Sequence, residues 1–568
     1  MHASSGIRAA VTFGAIMALG GCGDGGGGMV ASVSAPPPPV VSNASLASLT
    51  ASQSFSNNAA SATATIAASA NVTAASSTSQ PLTFSYDLAS NSYTVSTQGR
   101  SQTFAPASQA SAKGGIAVYA VTNGATADRL TIETASVTGY AATSPQYSGL
   151  GYWQRTVSGS GSSDVSVDFF IYGLPSAISA VPRTGSAAYA TSVYGLVSPL
   201  GTEARFFQGT GRMDVDFADA LLTTSATVSE SGIVSQANYG TGATLTGSGT
   251  LSSSANAFTG SAVYTGLNSA SHGTLAGQFY GPGAQEVGAS FTTTGADGSS
   301  ATGVIWGNQN STLPPINLTV ANPATNATYN APSAQMTLGQ NANPGFATGT
   351  VAVTTAGTTT VTPAGYPAAT LVGSDTVAGT NANFTDYSTA GADGAIAVNL
   401  YKAGSGNTEL ALTYMSFGSW QGPTGAGNSA AAVSWFAYGL GTAPAVIQAR
   451  TGSANYTGVA YGTAYNSATN TSAAVNGNAS FAVNFDIQGY SGSLGLKSAT
   501  TNYGTFNVSG VLASGVAQFG SLTGVTAGAG SILPAFYGPN GQEFGGPFRI
   551  SIPTATTTIV GVAAGRGG

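Results

Sequence analysis

The stretch FYGPGAQEVGASF at residues 279–291 returns as FYGPNGQEFGGPF at residues 536–548. Both read FYGPxxQExGxxF, and the surrounding chain repeats with them. YSGLGYWQ (147–154) faces YMSFGSWQ (414–421) at an offset of 267 residues, DVSVDFFIYGL (164–174) faces AAAVSWFAYGL (430–440), and RTGSAAY (183–189) faces RTGSANY (450–456). Further on, Val215, Asp216 and Phe217 correspond to Val483, Asn484 and Phe485. Blocks in the same order along two halves of a chain indicate a duplicated unit, and a repeat fixes the architecture before any strand is assigned.

Within the repeats apolar residues alternate. Val165, Val167, Phe169 and Ile171 take one side of the chain while Ser166, Asp168, Phe170 and Tyr172 take the other, and Met213, Val215 and Phe217 alternate with Asp214 and Asp216. A period of two is that of a β-strand. Gly-rich turns recur at short intervals and no long helical pattern competes, which predicts an antiparallel barrel or sandwich. Closure into a barrel also removes the edges along which Thr- and Val-rich strands aggregate.

Only 6% of the 568 residues are charged, against roughly a quarter in an average soluble chain, while 42% are apolar and 79 are glycine. With 23 Phe and 24 Tyr spread along it, such a chain buries enough area to fold, and its length demands several cores. A net charge of −6 with 13 Lys plus Arg leaves no basic patch to release counterions from a nucleic acid, so nucleic-acid binding is excluded as a function class. A single cysteine excludes an internal disulfide framework.

That cysteine has a place of its own. Arg8 is followed by the apolar run AAVTFGAIMAL (9–19), too short to span a bilayer and of signal-peptide length, and then by Leu19, Gly20, Gly21 and Cys22. This is the form of a bacterial lipobox, which predicts a signal over 1–21 and lipidation of Cys22. The stretch 22–43, with Gly25 to Gly28 and Pro36 to Pro39, reads as a tether. Gly23 after the cysteine favours the outer membrane.

The repeated blocks FYGPxxQExGxxF, aromatic-Gly-Trp (147–153) and GSAxY (185–189) resemble the barrel of transferrin-binding protein B, in both copies. The resemblance covers most of 146–306 and 414–561. It implies an all-β chain of two tandem lobes, each a small β handle domain followed by an eight-stranded antiparallel β-barrel. The expected division is handle 44–145, barrel 146–307, linker 308–324, handle 325–413 and barrel 414–568, the linker being set by its paired prolines and polar residues. The resemblance further implies a surface lipoprotein that captures a host iron-carrier protein, haem or another solute. Its implied partners are the membrane through the lipid anchor, an outer-membrane translocator and a TonB-dependent receptor. The scarcity of charged residues and charged loops departs from the transferrin receptor's pattern. An adhesive or structural surface β-protein is the alternative reading, and a porin-like barrel a third.

Catalytic chemistry has little to work with. His2 lies in the signal, and His272 in SASHGTLAG shows no nucleophile elbow and no counterpart in the second copy, so a loop histidine is the expectation over a triad or a haem ligand. No HExxH, CxxC or phosphate loop occurs, and Lys113, Lys402 and Lys497 lie outside any nucleotide motif; no catalytic residue, metal or cofactor is assigned. Asp214 and Asp216, replaced by Ala482 and Asn484 in the second copy, read as solvated strand-face acids. Glu286 and Glu543, with Tyr280, Gly281, Pro282, Tyr537, Gly538 and Pro539, read as a structural motif in which a carboxylate accepts backbone N–H groups and pins a tight turn. Trp153 and Trp420 read as barrel core. Ligand contact is expected on loops that differ between copies, chiefly Leu196 to Gln208 with Glu203, Arg205, Phe206 and Phe207.

Overall fold

A computed structural model describes residues 43–46, 49–97, 99–113, 115–133, 145–266, 270–339, 344–425, 428–524 and 528–567. The signal (1–21), Cys22 and the tether up to residue 42 lie outside the described residues. From Asn43 onward the chain forms one compact unit. Nearly every element is a β-strand; among the described residues the α-helix is the short Pro444–Gln448.

Each half builds a curled sheet and then a barrel. In the first half nine strands pair antiparallel in the order Arg100–Phe104, Ser92–Thr97, Val72–Asp87, Gln53–Ala67, Ser162–Gly173, Ser148–Ser158, Thr126–Glu133, Ile116–Asn123 and Gln109–Lys113. The next eight, from Ser186–Ser198 to Ser300–Gln309, pair each with its successor, and the last pairs back onto the first with Val193 opposite Ile305. The second half repeats the plan. Nine strands between Ala327 and Gly439 form the sheet, and the barrel ring runs through Ser453–Asn466, Thr471–Asn484, Gly489–Lys497, Asn502–Ala513, Gly520–Gly524, Ala529–Ile532, Glu543–Ile552 and Thr557–Gly567. That ring closes where Ser453–Asn466 meets Thr557–Gly567 and where Gly489–Lys497 meets Asn502–Ala513.

One expectation is corrected. The strands carrying Trp153 and Trp420 belong to the curled sheets and not to the barrels, which begin at Ser186 and Ser453 instead of 146 and 414. Ser162–Gly173 pairs with Gln53–Ala67, Ala60 lying opposite Phe169. Alternation along a segment announces a strand and its two faces, but not which distant strand supplies its hydrogen bonds.

The two faces of Ser162–Gly173 do divide as read. Val167, Phe169 and Ile171 pack toward the barrel with Leu196, Tyr280 and Trp306, while Phe170 and Tyr172 enter the interior of the sheet with Phe84, Phe104 and Trp153. Each lobe thus has an apolar sheet interior, an apolar seam and a separate apolar barrel interior; Met213, Val215, Phe217 and Phe279 fill the first barrel and Phe481, Val483, Phe485 and Phe544 the second. Barrels filled with apolar side chains and walled outside by Ser and Thr invert the porin arrangement of a polar interior and a lipid-facing band.

Asp214 and Asp216 are buried, each about 2% exposed, contrary to the reading as solvated acids. The segment between the lobes lies over them. Arg212 pairs with Asp214 and donates to the carbonyl of Pro314 at 2.7 Å, Asn322 donates to Asp216, and Thr319 donates to Asp219 at 3.0 Å. The acids therefore seat the inter-lobe segment; Ala482 and Asn484 stand at the matching positions of the second lobe.

Candidate functional site

The repeated motif is a staple between sheet and barrel. In the first lobe the Glu286 carboxylate accepts the backbone N–H groups of Gln146 (2.6 Å), Tyr147 (3.2 Å) and Ser148 (2.8 Å) and the Ser148 hydroxyl (2.6 Å). Ser148 in turn accepts the Trp306 indole N–H at 2.8 Å. In the second lobe Glu543 accepts the N–H groups of Thr413 (2.5 Å), Tyr414 (3.0 Å) and Met415 (2.8 Å). Both glutamates are buried, and burial outweighs these bonds at Glu543, pushing its carboxyl above the usual range. The expected tight turn is present but is not what the carboxylate binds. It ties the barrel to the first residues of a sheet strand more than a hundred positions upstream.

The other motif residues complete the staple in parallel. Gly281 and Gly538 adopt φ of 84° and 90°, and a Cβ there would collide with Tyr147 and Tyr414 respectively, so glycine is required on both counts. Their N–H groups donate to Leu174 and Leu440 carbonyls at 3.0 and 2.8 Å. Tyr280 and Tyr537 are buried in the seams, and the Tyr280 hydroxyl donates to the Ile171 carbonyl at 3.2 Å. Pro282 is exposed in its turn, while Pro539 is half-buried.

The structure splits the cluster expected to contact a ligand. Leu196 to Gln208 is not one loop: strands run through Ser186–Ser198 and Arg205–Asp216, leaving 199–204 between them. Phe207 points into the barrel, fully buried against Tyr264 (ring centroids 5.0 Å apart) and Phe291, so it has no surface to offer a ligand. Phe206 packs on the seam. Arg205 pairs at 3.0 Å with Glu230, itself buried and holding the Tyr264 hydroxyl at 2.7 Å, and lies 4.1 Å from the Tyr239 ring centroid.

Glu203 shapes the neighbouring loop. Its carboxylate accepts the N–H groups of Val234 and Ser235 at 3.0 Å each, the Ser235 hydroxyl, and the Tyr239 hydroxyl at 2.7 Å. These bonds, the Ser235 hydroxyl first among them, hold its carboxyl down at about 2. The loop so fixed presents Ile233 (46% exposed) and Val234 (64%), and Leu200 (44%) stands on the loop that carries Glu203. Ile233 and Val234, exposed on backbone that Glu203 holds, form a preorganised apolar tip. Sequence reasoning passed over Ile233 and Val234, although a paired Ile-Val inside SGIVSQ, where turn chemistry wants polar residues, was the available signal.

A pH dependence follows. Because the folded carboxyl is depressed below the ordinary 4.5, the stabilisation is complete above that value and is lost as pH falls toward about 2. Hydrogen exchange at the Val234 and Ser235 amides is expected to accelerate relative to the barrel strands across that interval, and a Glu203→Ala variant is expected to show the acid level of exchange already at neutral pH.

Residues 181–309 match the family model described as C-lobe and N-lobe beta barrels of Tf-binding protein B. This barrel is similar to those of transferrin-binding protein B. Similar solved structures include a tryptophan-to-alanine variant of transferrin-binding protein B from Haemophilus parasuis, 18% identical, covering 78% of this chain and 86% of that one with a TM-score of 0.29. Another is the isotype 1 protein from serogroup B Neisseria meningitidis, 17% identical, covering 77% and 87% with a TM-score of 0.27. No curated protein sequence matches. The two-lobed architecture rests on the strand pairing of this chain itself.

The two curled sheets, in the place of the expected handles, hold their tryptophans differently. Trp153 donates its indole N–H to Asp128 at 2.8 Å, and Arg100 and Arg155 lie 4.8 and 4.9 Å from its ring centroid. Arg155 grips Asp128 with two bonds, and Arg100 pairs with buried Asp168 at 2.7 Å. Trp420 stacks instead on Tyr366, centroids 5.3 Å apart, and its indole N–H has no hydrogen-bond partner among the described residues. Both are handle core, not barrel core. His272 is exposed on strand Ala270–Tyr280 and lines an 880 Å³ cavity between the first barrel and the second lobe, with Arg450, Tyr456 and Asn540 opposite. Asn540, which replaces Gly283 of the first motif, donates across that cavity's rim to Ser248 at 2.9 Å.

Proposed function

We propose that this chain is a lipid-anchored outer-membrane surface receptor that captures a solute or a host iron-carrier protein by binding, without catalysis. The observation that carries the reading is the match of residues 181–309 to the barrel family, which falls on the barrel that owns the pinned apolar tip. The Cys22 lipobox supports the anchor, and the Gly- and Pro-rich tether supports a surface position in which a translocator and a TonB-dependent receptor serve as partners. Contact is made through Leu200, Ile233 and Val234, with Glu203 and Arg205 holding the loops behind them, since apolar side chains on ordered backbone give affinity at little entropic cost. Scarcity of charge makes the recognition chiefly apolar and therefore weakly dependent on salt.

The test is surface plasmon resonance of the mature chain against iron-loaded transferrin and haemoglobin, with capture from host serum as a third arm. Saturable binding that persists at high salt and falls about a hundredfold in an Ile233→Asp, Val234→Asp double variant supports the reading, a loss of the size found at interface hot spots. Binding to none of these, with intact adhesion of cells displaying the chain, assigns it to adhesion instead.

A further inference from the structure

Among the described residues no group of three or more His, Cys, Asp and Glu side chains is placed to hold a metal. Tyrosine supplies oxygen donors that such a count omits. In the second lobe Tyr401, at the end of strand Gly394–Tyr401, and Tyr461, on barrel strand Ser453–Asn466, converge on Glu409 in the loop between sheet strands. The Tyr401 hydroxyl lies 3.1 Å from Glu409 Oε2, and the Tyr461 hydroxyl lies 2.8 and 2.9 Å from Oε1 and Oε2.

The surroundings fix these groups. Tyr401 stacks on Phe417 with centroids 4.3 Å apart, and Tyr461 meets the edge of Phe384 at 4.9 Å, so neither ring turns freely. Asn383 donates to Glu409 Oε2 at 2.8 Å, and Asn381 donates to the Tyr461 hydroxyl at 3.3 Å, supplying an outer shell that orients both. Both phenols are buried, yet Glu409 is exposed and lines an open groove of about 570 Å³ with Asn476, Lys497 and Asn502. An ion thus has access from one side while its donors are held from the other.

We infer that Tyr401, Glu409 and Tyr461 form a binding site for a hard trivalent cation, ferric iron, delivered as an oxygen-donor chelate through the groove. Oxygen donors of this kind select hard cations over soft ones. Binding replaces the two phenolic protons, which leave to solvent, by two iron–oxygen bonds, and the carboxylate supplies the third; three donor oxygens of the chelate release the iron in exchange, and its remaining donors complete the coordination. Two phenolates and one carboxylate neutralise a trivalent ion, whereas a divalent ion leaves a net negative charge in a nearly uncharged lobe. The first lobe differs: Tyr194 matches Tyr461, but the register that sets Leu400 opposite Gly418 sets Ile132 opposite Gly151, so Glu133 stands in the place of Tyr401.

The site is independent of the carrier-binding reading, because it lies in the other lobe and needs no partner protein. The test titrates the mature chain with ferric nitrilotriacetate at neutral pH, with gallium(III), zinc(II) and calcium(II) as parallel arms. A visible phenolate-to-iron charge-transfer band that saturates at one iron per chain, with proton release and with gallium competing, is expected. Tyr401→Phe and Tyr461→Phe should each lower affinity by about tenfold or more and weaken the band, as should Glu409→Gln, which keeps the side chain's size at an exposed position. Absence of the band in the unsubstituted chain, or a band unchanged in these variants, overturns the assignment. Binding of a host protein by a Tyr401→Phe chain that has lost iron leaves the first-lobe reading standing and separates the two.

Discussion

Glu286→Ala is expected to unfold the first lobe's sheet-to-barrel junction at a cost of about 3–5 kcal/mol, read as a lowered denaturant midpoint of the first-lobe transition. Removing the carboxylate leaves the N–H groups of Gln146, Tyr147 and Ser148 and the Ser148 hydroxyl without their acceptor, the two Ser148 donors being buried. An unsatisfied buried donor costs about 1–3 kcal/mol, and four donors on one acceptor do not add in full. Glu286→Gln keeps one acceptor oxygen but turns an NH₂ toward donors, and is expected to cost about half as much. Glu543→Ala is expected to do the same to the second lobe. There the sign of the pH dependence is set by the raised carboxyl: the folded state holds its proton more tightly than the unfolded one. That contribution is present in full below about 4.5 and is lost as pH rises through the folded value. Glu543→Gln should flatten the second lobe's stability profile in that interval, and a profile unchanged by the substitution would contradict the burial assigned to this group.

Asp168→Ala is expected to cost about 3–5 kcal/mol, the range found when one member of a buried ion pair is removed. The side chain is fully buried, pairs with Arg100, and accepts from Ser61 and from Gln80, the latter at 2.7 Å. Burial nonetheless raises its carboxyl above the ordinary 3.8, more than Arg100 lowers it, so the charged pair as a whole adds little over a neutral substitute. The second handle shows such a substitute. Ser434 stands at the matching strand position, bonded by the Gln335 amide at 3.3 Å, and Tyr366 covers the face of Trp420 as Arg100 covers that of Trp153. An Arg100→Tyr, Asp168→Ser double variant is therefore expected to recover more than half of the stability that Asp168→Ala loses. Calorimetry of the three variants measures the coupling; a double variant as unstable as the single one would show that the ion pair contributes more than its neutral counterpart.

Period-two alternation and the repeated blocks made the strands, the duplication and the two lobes legible, because both are local properties of the chain. Strand partnership was not. Trp153 looked like barrel core since its strand stands next to the barrel in sequence, yet the hydrogen bonds of Ser162–Gly173 are made with Gln53–Ala67, a choice taken only when the chain folds back. The motif glutamates were readable as acceptors of backbone N–H groups, but the donors sit far upstream and carry no side-chain signature. Phe207 was misplaced because an aromatic pair beside Glu203 and Arg205 resembles a binding cluster, whereas the strand's alternation sends Phe207 inward. The Tyr401, Glu409 and Tyr461 group was illegible for a related reason: its members come from a sheet strand, a loop and a barrel strand, and nothing in their spacing brings them together.

Two closed barrels underlie everything inferred about this chain, and hydrogen–deuterium exchange of the mature protein at the closing strands tests them directly. Amides of Ser300–Gln309 and Thr557–Gly567 are predicted to be protected to the same degree as those of mid-barrel strands such as Leu221–Gly232 and Thr471–Asn484, since each is paired on both sides. Rapid exchange along one side of either closing strand, as in the open edge Gln109–Lys113, would show an unclosed sheet and contradict the fold on which the two-lobed reading stands.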